Sequence, residues 1–190
     1  RCLIQLGKYN EALEYIEIAR PKSEDFDEPV TQGMLFLAQG RICMHKAEYK
    51  DALGYYDEAN KIYLQYGDLI ERSFHTTYEI VYCLVGLCDL ERMGKEVKNL
   101  INLSKRIKEQ DRDIESRVMK VFYSTCTQDA NVSDVDLVYD KIQKFFNEED
   151  GFSDRWNELY WLLARAYKNI GEDQKSKDCH ERAIELVHID

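Results

Sequence analysis

The one pairing in this chain that suggests covalent chemistry is Cys179–His180, a thiol beside an imidazole. A cysteine nucleophile needs a base within hydrogen-bonding reach of its sulfur. Adjacent residues on a helix project about 100° apart, so these two cannot face each other. The remaining histidines, His45, His75 and His188, are scattered, and no HExxH occurs. Six cysteines stand at 2, 43, 83, 88, 126 and 179, with no CxxC and no histidine spaced to complete a zinc site. Each lies among apolar residues, where a thiol behaves as a small buried hydrophobe. Glu148, Glu149 and Asp150 fall in a loop, where solvated carboxylates are the expectation, and no GxxxxGK or GxGxxG is present to cradle phosphate. No catalytic constellation, metal or cofactor is therefore expected, and the chain is read as a non-enzyme. Unpaired thiols suit a reducing compartment, so the cytoplasm is the expected location.

Charge narrows the partners. With 26 basic and 36 acidic side chains the net charge is −10, which opposes a phosphate backbone or an anionic membrane surface. The single basic cluster, Lys95, Lys98, Lys105, Arg106 and Lys108, is expected to be one solvated helix face. The apolar stretch over residues 80–87 is far too short to span a bilayer. The partner expected is protein or peptide, with no nucleic acid and no membrane. A start at Arg1 rather than Met is the expectation for a segment of a longer protein.

Only 2 prolines and 9 glycines interrupt a composition that favours helix throughout. Helices are expected over 11–20, 29–45, 50–65, 69–90, 95–110, 114–128, 134–147, 154–170 and 173–187, with residues 1–6 as the tail of a first one. Breaks are expected at 21–27, 66–68, Gly94, 129–133 and 150–153, and Ser133 and Ser153 as N-caps. Three segments align without gaps: LGKYNEALEYIEIA ending at Ala19, KAEYKDALGYYDEA ending at Ala59, and IGEDQKSKDCHERA ending at Ala183. Each carries a small residue, a bulky one four later and an Ala three beyond: Ala12/Ile16/Ala19, Ala52/Tyr56/Ala59 and Ser176/His180/Ala183. That spacing is one helical stripe, small at both ends so that a neighbouring helix can come close. His180 is accordingly expected in the core. Weaker copies read Val97/Ile101/Ser104, after Val81, Val85 and Cys88, and Val138/Ile142/Phe145, after Phe122 and Cys126.

The helix before each stripe completes the pattern, with Phe36, Gly40 and Cys43 in one copy and Tyr160, Leu163, Ala164 and Tyr167 in the last. Together with Gly171, Ser176 and Ala183, these residues resemble the tetratricopeptide repeat, in a long variant of about 40 residues rather than roughly 34. The resemblance covers nearly the whole chain, strongly at its two ends. It implies an all-α, right-handed superhelical solenoid of antiparallel helix pairs, in one domain over 1–190. The repeats would be a partial one at 1–26, then 27–68, two degenerate ones at 69–110 and 111–149, and 150–190. Similar long repeats occur in kinesin light chains, in cell-polarity scaffolds and in quorum-sensing peptide receptors of Gram-positive bacteria.

In such a solenoid the first helix of each pair, helix A, lines the concave side. The residues implied to face a partner are Leu37, Tyr82, Tyr123 and Trp161, with Arg41 and Arg165 one turn on and Glu79, Lys120 and Glu158 beside them. Aromatic rows flanked by Arg have the composition of a binding hot spot. Bulky residues there argue against the Lys and Asn column that clamps a chaperone's C-terminal carboxylate. Lys177 is expected on the opposite face. The function implied is a protein- or peptide-binding scaffold or sensory module of a larger protein. The alternatives are a peptide-sensing regulatory domain of a bacterial transcription regulator or signalling enzyme, and an element of self-association through open solenoid ends.

Overall fold

The structure, a computed structural model, describes residues 2–25, 29–66, 69–148 and 155–187. Among them the chain is entirely helical: α1 (Cys2–Gln5), α2 (Tyr9–Asp25), α3 (Pro29–His45), α4 (Tyr49–Gln65), α5 (Ile70–Leu87), α6 (Leu90–Ile107), α7 (Gln110–Cys126), α8 (Val132–Glu148), α9 (Trp156–Asn169) and α10 (Asp173–Val187). They form two compact units, Arg1–Ile107 and Lys108–Asp190. No described helix is long and apolar enough to cross a membrane.

Helices pair through one recurrent turn. Gly7, Ala47, Cys88, Gln128 and Gly171 each take a left-handed backbone conformation, at intervals of 40, 41, 40 and 43 residues. The next residue donates its N–H five positions back: Lys8 to Leu3, Glu48 to Cys43, Asp89 to Leu84, Asp129 to Ser124 and Glu172 to Tyr167, at 2.8–3.2 Å. This closure satisfies carbonyls that the helix end would otherwise leave bare. Glycine adopts it without steric cost at two of the five places.

These turns correct the expected elements. The break placed at Gly94 lies instead at Cys88 and Asp89, and Gly94 is buried inside α6. Pro21 does not end α2, which continues to Asp25. α8 starts at Val132, with Asn131 rather than Ser133 as its cap. The Asn131 Oδ1 accepts from the Asp134 N–H at 3.3 Å and the Asp134 carboxylate accepts from the Asn131 N–H at 2.9 Å, a reciprocal closure of the helix start. Ser153 and the 150–153 break lie outside the described residues, as do His188, Glu149 and Asp150.

The repeat register shifts as well. Counted from each helix start, the fourth residues of α2, α4, α6, α8 and α10 are Ala12, Ala52, Met93, Val135 and Ser176. The middle stripes are therefore Met93/Val97/Leu100 and Val135/Tyr139/Ile142, one turn before those expected. Ala12, Ala52, Ala59 and Ala183 are buried as expected. His180, expected in the core, is exposed on α10.

In the first unit, packing alternates glycine with tyrosine. Tyr56 and Tyr63 of α4 lie flat on Gly40 and Gly33 of α3, so close that a Cβ on Gly40 would stand 2.4 Å from the Tyr56 ring and one on Gly33 2.6 Å from Tyr63. α5 then covers the pair, with its Ser73 and Thr77 bonded to Asn60 of α4 at 2.7 and 3.3 Å. In the second unit aromatic rings do the joining. Tyr139 of α8 meets Tyr160 and Tyr167 of α9 edge-on, and Phe145 and Phe146 close on Trp156. Gln143 donates to the Tyr160 hydroxyl at 2.8 Å; burial pushes that phenol up to about 12.

Candidate functional site

Among the described residues no group of three or more His, Cys, Asp or Glu side chains could hold a metal ion. Cys179 is buried while His180 beside it is exposed, as their helical offset requires. Burial pushes the Cys83 and Cys179 thiols up to about 12, which leaves them protonated and poor nucleophiles. Cys43 and Cys126 are half-buried and Cys88 is exposed at its turn, so not all the thiols are core groups. The basic cluster on α6 and Lys108 is exposed, as expected of a solvated face. The buried carboxylate of Glu115 belongs to α7 itself: Arg112 donates to it at 2.9 Å, and burial raises its pKa against the pull of Arg155 and Arg112. This is a structural ion pair within one helix.

The expected partner-facing residues divide between the two units. In the first, Leu37, Arg41 and Tyr82 are all half-buried. Arg41 on α3 donates to Glu79 on α5 at 3.3 Å, so its charge is met by the neighbouring helix. Tyr82 lies one turn beyond Glu79. Measured from the turns, Tyr82 corresponds to Arg41 rather than to Leu37; the residue equivalent to Leu37 is Tyr78, which is fully buried. Tyr82 thus belongs to the row one turn on. One turn on from Tyr123, Thr127 caps α7, its hydroxyl donating to the Tyr123 carbonyl at 3.3 Å.

In the second unit the structure brings Trp161 and Arg165 together. The Arg165 guanidinium sits 4.8 Å from the Trp161 ring centroid and 5.2 Å from that of Phe122 on α7. Cations over aromatic faces are held by the ring quadrupole, and a guanidinium held this way keeps its N–H donors at its edge. None of those donors meets an acceptor among the described residues. Tyr123 follows Phe122 on α7 and is half-buried. Trp161 and Arg165 edge an open groove of about 550 Å³ between α9 and α10, lined also by Ala164, Lys168, Asp173, Ser176, Lys177 and His180. Lys177, expected on the opposite face, therefore shares the groove: it follows Ser176 on α10, and the helix turns it toward α9. Phe122 and the α10 side of the groove escaped sequence reasoning. The turn at Gln128 would have revealed the register, but glutamine gives no signal for a left-handed residue.

No protein-family model matches the chain, and no curated protein matches it. Solved structures do. The apo form of RapI superposes with a TM-score of 0.73 over 97% of this chain, at 11% identity. BtubC from P. vanneervenii does so with a TM-score of 0.69, again over 97%, at 15% identity. The fold is a helical-repeat solenoid. The chain spans 66% of the RapI chain and 75% of the BtubC chain.

Proposed function

We propose that this chain is a polypeptide-binding module of the tetratricopeptide-repeat type, with no catalytic activity of its own, working in the reducing interior of the cell. The observation that carries the reading is Arg165, held over the Trp161 and Phe122 rings at the edge of an open groove, its donors meeting no acceptor among the described residues. A preorganised guanidinium and an accessible indole give directional hydrogen bonds and large contact area at low entropic cost, the make-up of a hot spot. The recurrent helix pairs support the type assignment, and the raised pKa values of the Cys83 and Cys179 thiols support a non-catalytic role for them.

The test is to select peptides from a random library on the immobilised protein and measure their affinities by calorimetry. Trp161→Ala should weaken the best binders by about 2 kcal/mol or more, with an unchanged circular dichroism spectrum. Lys98→Ala, on the exposed face of α6 in the other unit, should leave affinity unchanged. If no peptide is selected, or if Trp161→Ala folds and binds as before, this groove is not the binding site.

A further inference from the structure

The first unit contains a template for what the groove of the second accepts. Counted from their left-handed turns at Ala47 and Gly171, Arg41 is the equivalent of Arg165, Met44 of Lys168 and Tyr49 of Asp173. All three first-unit residues touch one element, α5. Glu79 meets Arg41 at 3.3 Å, Cys83 meets the Met44 sulfur at 3.0 Å, and Gly86 packs on the Tyr49 ring. The groove between α9 and α10 is thus, position for position, the surface that in the first unit holds a helix bearing a glutamate against the arginine.

Its chemistry differs in one respect. Where the first unit has Met44, Tyr49, Leu53 and Tyr56, the groove has Lys168, Asp173, Lys177 and His180. Lys168 is engaged with Asp173 at 2.6 Å and Lys177 also acts on that carboxylate, whereas Arg165 has no acidic partner among the described residues. Farther along α10, Ile184 and Val187 are each 54% exposed, at the positions where α4 has Asn60 and Tyr63. The result is a cationic groove, in a chain of net charge −10, continued by an apolar strip.

Building on the binding reading above, we propose that this face docks an acidic amphipathic helix of a partner polypeptide, lying as α5 lies on α3 and α4. A carboxylate would meet Arg165 as Glu79 meets Arg41, and an apolar stripe would cover Ile184 and Val187. A surface for a permanent intramolecular neighbour is apolar at these positions, as the first unit is. A charged one stands in water while free and takes its helix reversibly, with charge complementarity setting the partner.

The experiment uses two synthetic 18-residue helical peptides with the same Leu stripe, one carrying Glu and the other Lys beside it. Binding is followed by calorimetry and by amide exchange over residues 156–187. The Glu peptide should bind at least ten times more tightly than the Lys peptide, weaken as salt rises, and protect α9 and α10. Arg165→Glu should reverse the preference. Lys177→Glu, an exposed change that leaves the ring sandwich alone, should lower affinity for the Glu peptide several-fold. Equal binding of both peptides, or Glu-peptide affinity indifferent to both variants, overturns the proposal. So does sedimentation showing that the protein self-associates until Arg165→Glu is introduced, which assigns the face to a second copy. So does protection of α9 and α10 before any peptide is added, which assigns it to the protein's own chain. If library-selected peptides still depend on Trp161 while the Glu and Lys peptides are not distinguished, polypeptide binding stands and the acidic helix alone is refuted.

Discussion

On α3 and α4, Arg41 and Met44 meet α5 beside the seam where Tyr56 packs on Gly40; on α9 and α10 the same positions hold Arg165, Lys168, His180 and Ala164, beside an open groove. The arginine is common to both, yet its setting is not. Arg41 is neutralised by Glu79 of the next helix, while Arg165 rests on Trp161 and Phe122. Tyr82 and Phe122 hold this position in the two repeats between, so of these four repeats only the outer two carry an arginine there, and the neighbouring elements decide whether it pairs with a carboxylate or faces a groove. The bulky residue of the packing stripe follows the same logic. Tyr56, covered, is fully buried, and His180, at the same place on an uncovered helix, is exposed.

The sharpest way to break this comparison is to truncate both members of that last pair. Tyr56→Ala removes a fully buried ring from the seam between α3 and α4 and should cost about 3–5 kcal/mol. His180→Ala should change stability by no more than about 0.5 kcal/mol. Urea denaturation of the two variants measures both. Equal losses would mean that the α10 face is covered in solution, and the two surfaces would no longer differ.

A smaller effect sharpens the same contrast from the opposing helix. Gly40→Ala would drive a Cβ to 2.4 Å from a ring that has no room to retreat, and overpacking of this kind costs about 1–3 kcal/mol. The equivalent Ala164 already carries that methyl, because the residue facing it is His180 rather than Tyr56. Ala164→Gly should then lose about 1 kcal/mol, the helix-propensity difference. A thermal melt in which Gly40→Ala is as stable as the unaltered protein would remove close helix approach as the reason for the glycine.

Much of this plan was legible in the sequence where the turn residue announced itself. Gly7 and Gly171 are glycines in left-handed turns, and the stripes after them, Ala12/Ile16 and Ser176/His180, were placed in the correct register. At Cys88 and Gln128 the same turn is made by residues that pay a steric cost and give no signal. Gly94, which looked like the break, packs inside α6, and the middle stripes slipped by one turn. The cap of α8 was ambiguous for a related reason: Asn131 and Ser133 stand two apart and both suit the role, and only the reciprocal bond with Asp134 decides it. At the candidate site, Trp161 and Arg165 could be chosen because their repeat was in register. Phe122, which completes the ring sandwich, comes from a different repeat, and no local pattern ties residue 122 to residue 165. Burial of His180 was inferred from a stripe whose geometry is right; whether a stripe is covered depends on a neighbouring element rather than on the helix that carries it.

The least energetic comparison concerns the cation that sits four residues past the turn in each unit, Arg92 on α6 and Lys175 on α10. Each reaches back to an aspartate on the helix two before it: Arg92 to Asp57 on α4, and Lys175 to Asp136 on α8. Asp136 is the better defined. Lys175 donates to both its oxygens at 2.7 Å, and the Tyr167 hydroxyl donates at 2.7 Å as well. Those bonds, the lysine's first, hold the carboxyl below the usual aspartate range. A carboxyl depressed in the folded state contributes its stability above the unfolded pKa and loses it as pH falls through the folded one. The contribution of Asp136 should accordingly be complete at neutral pH and fade only in acid below about pH 4. Asp136 and Lys175 are 40% and 41% exposed, so solvent screens most of the attraction. Asp136→Asn should lower the melting midpoint at pH 7 by no more than about 2 °C, and the difference should shrink as the pH is taken down toward 2. A larger loss at neutral pH would show that the Tyr167 hydroxyl, at the floor of this contact, depends on the carboxylate far more than its surface partner does. A difference that grows on acidification would reverse the sign and remove the ion pair as its source.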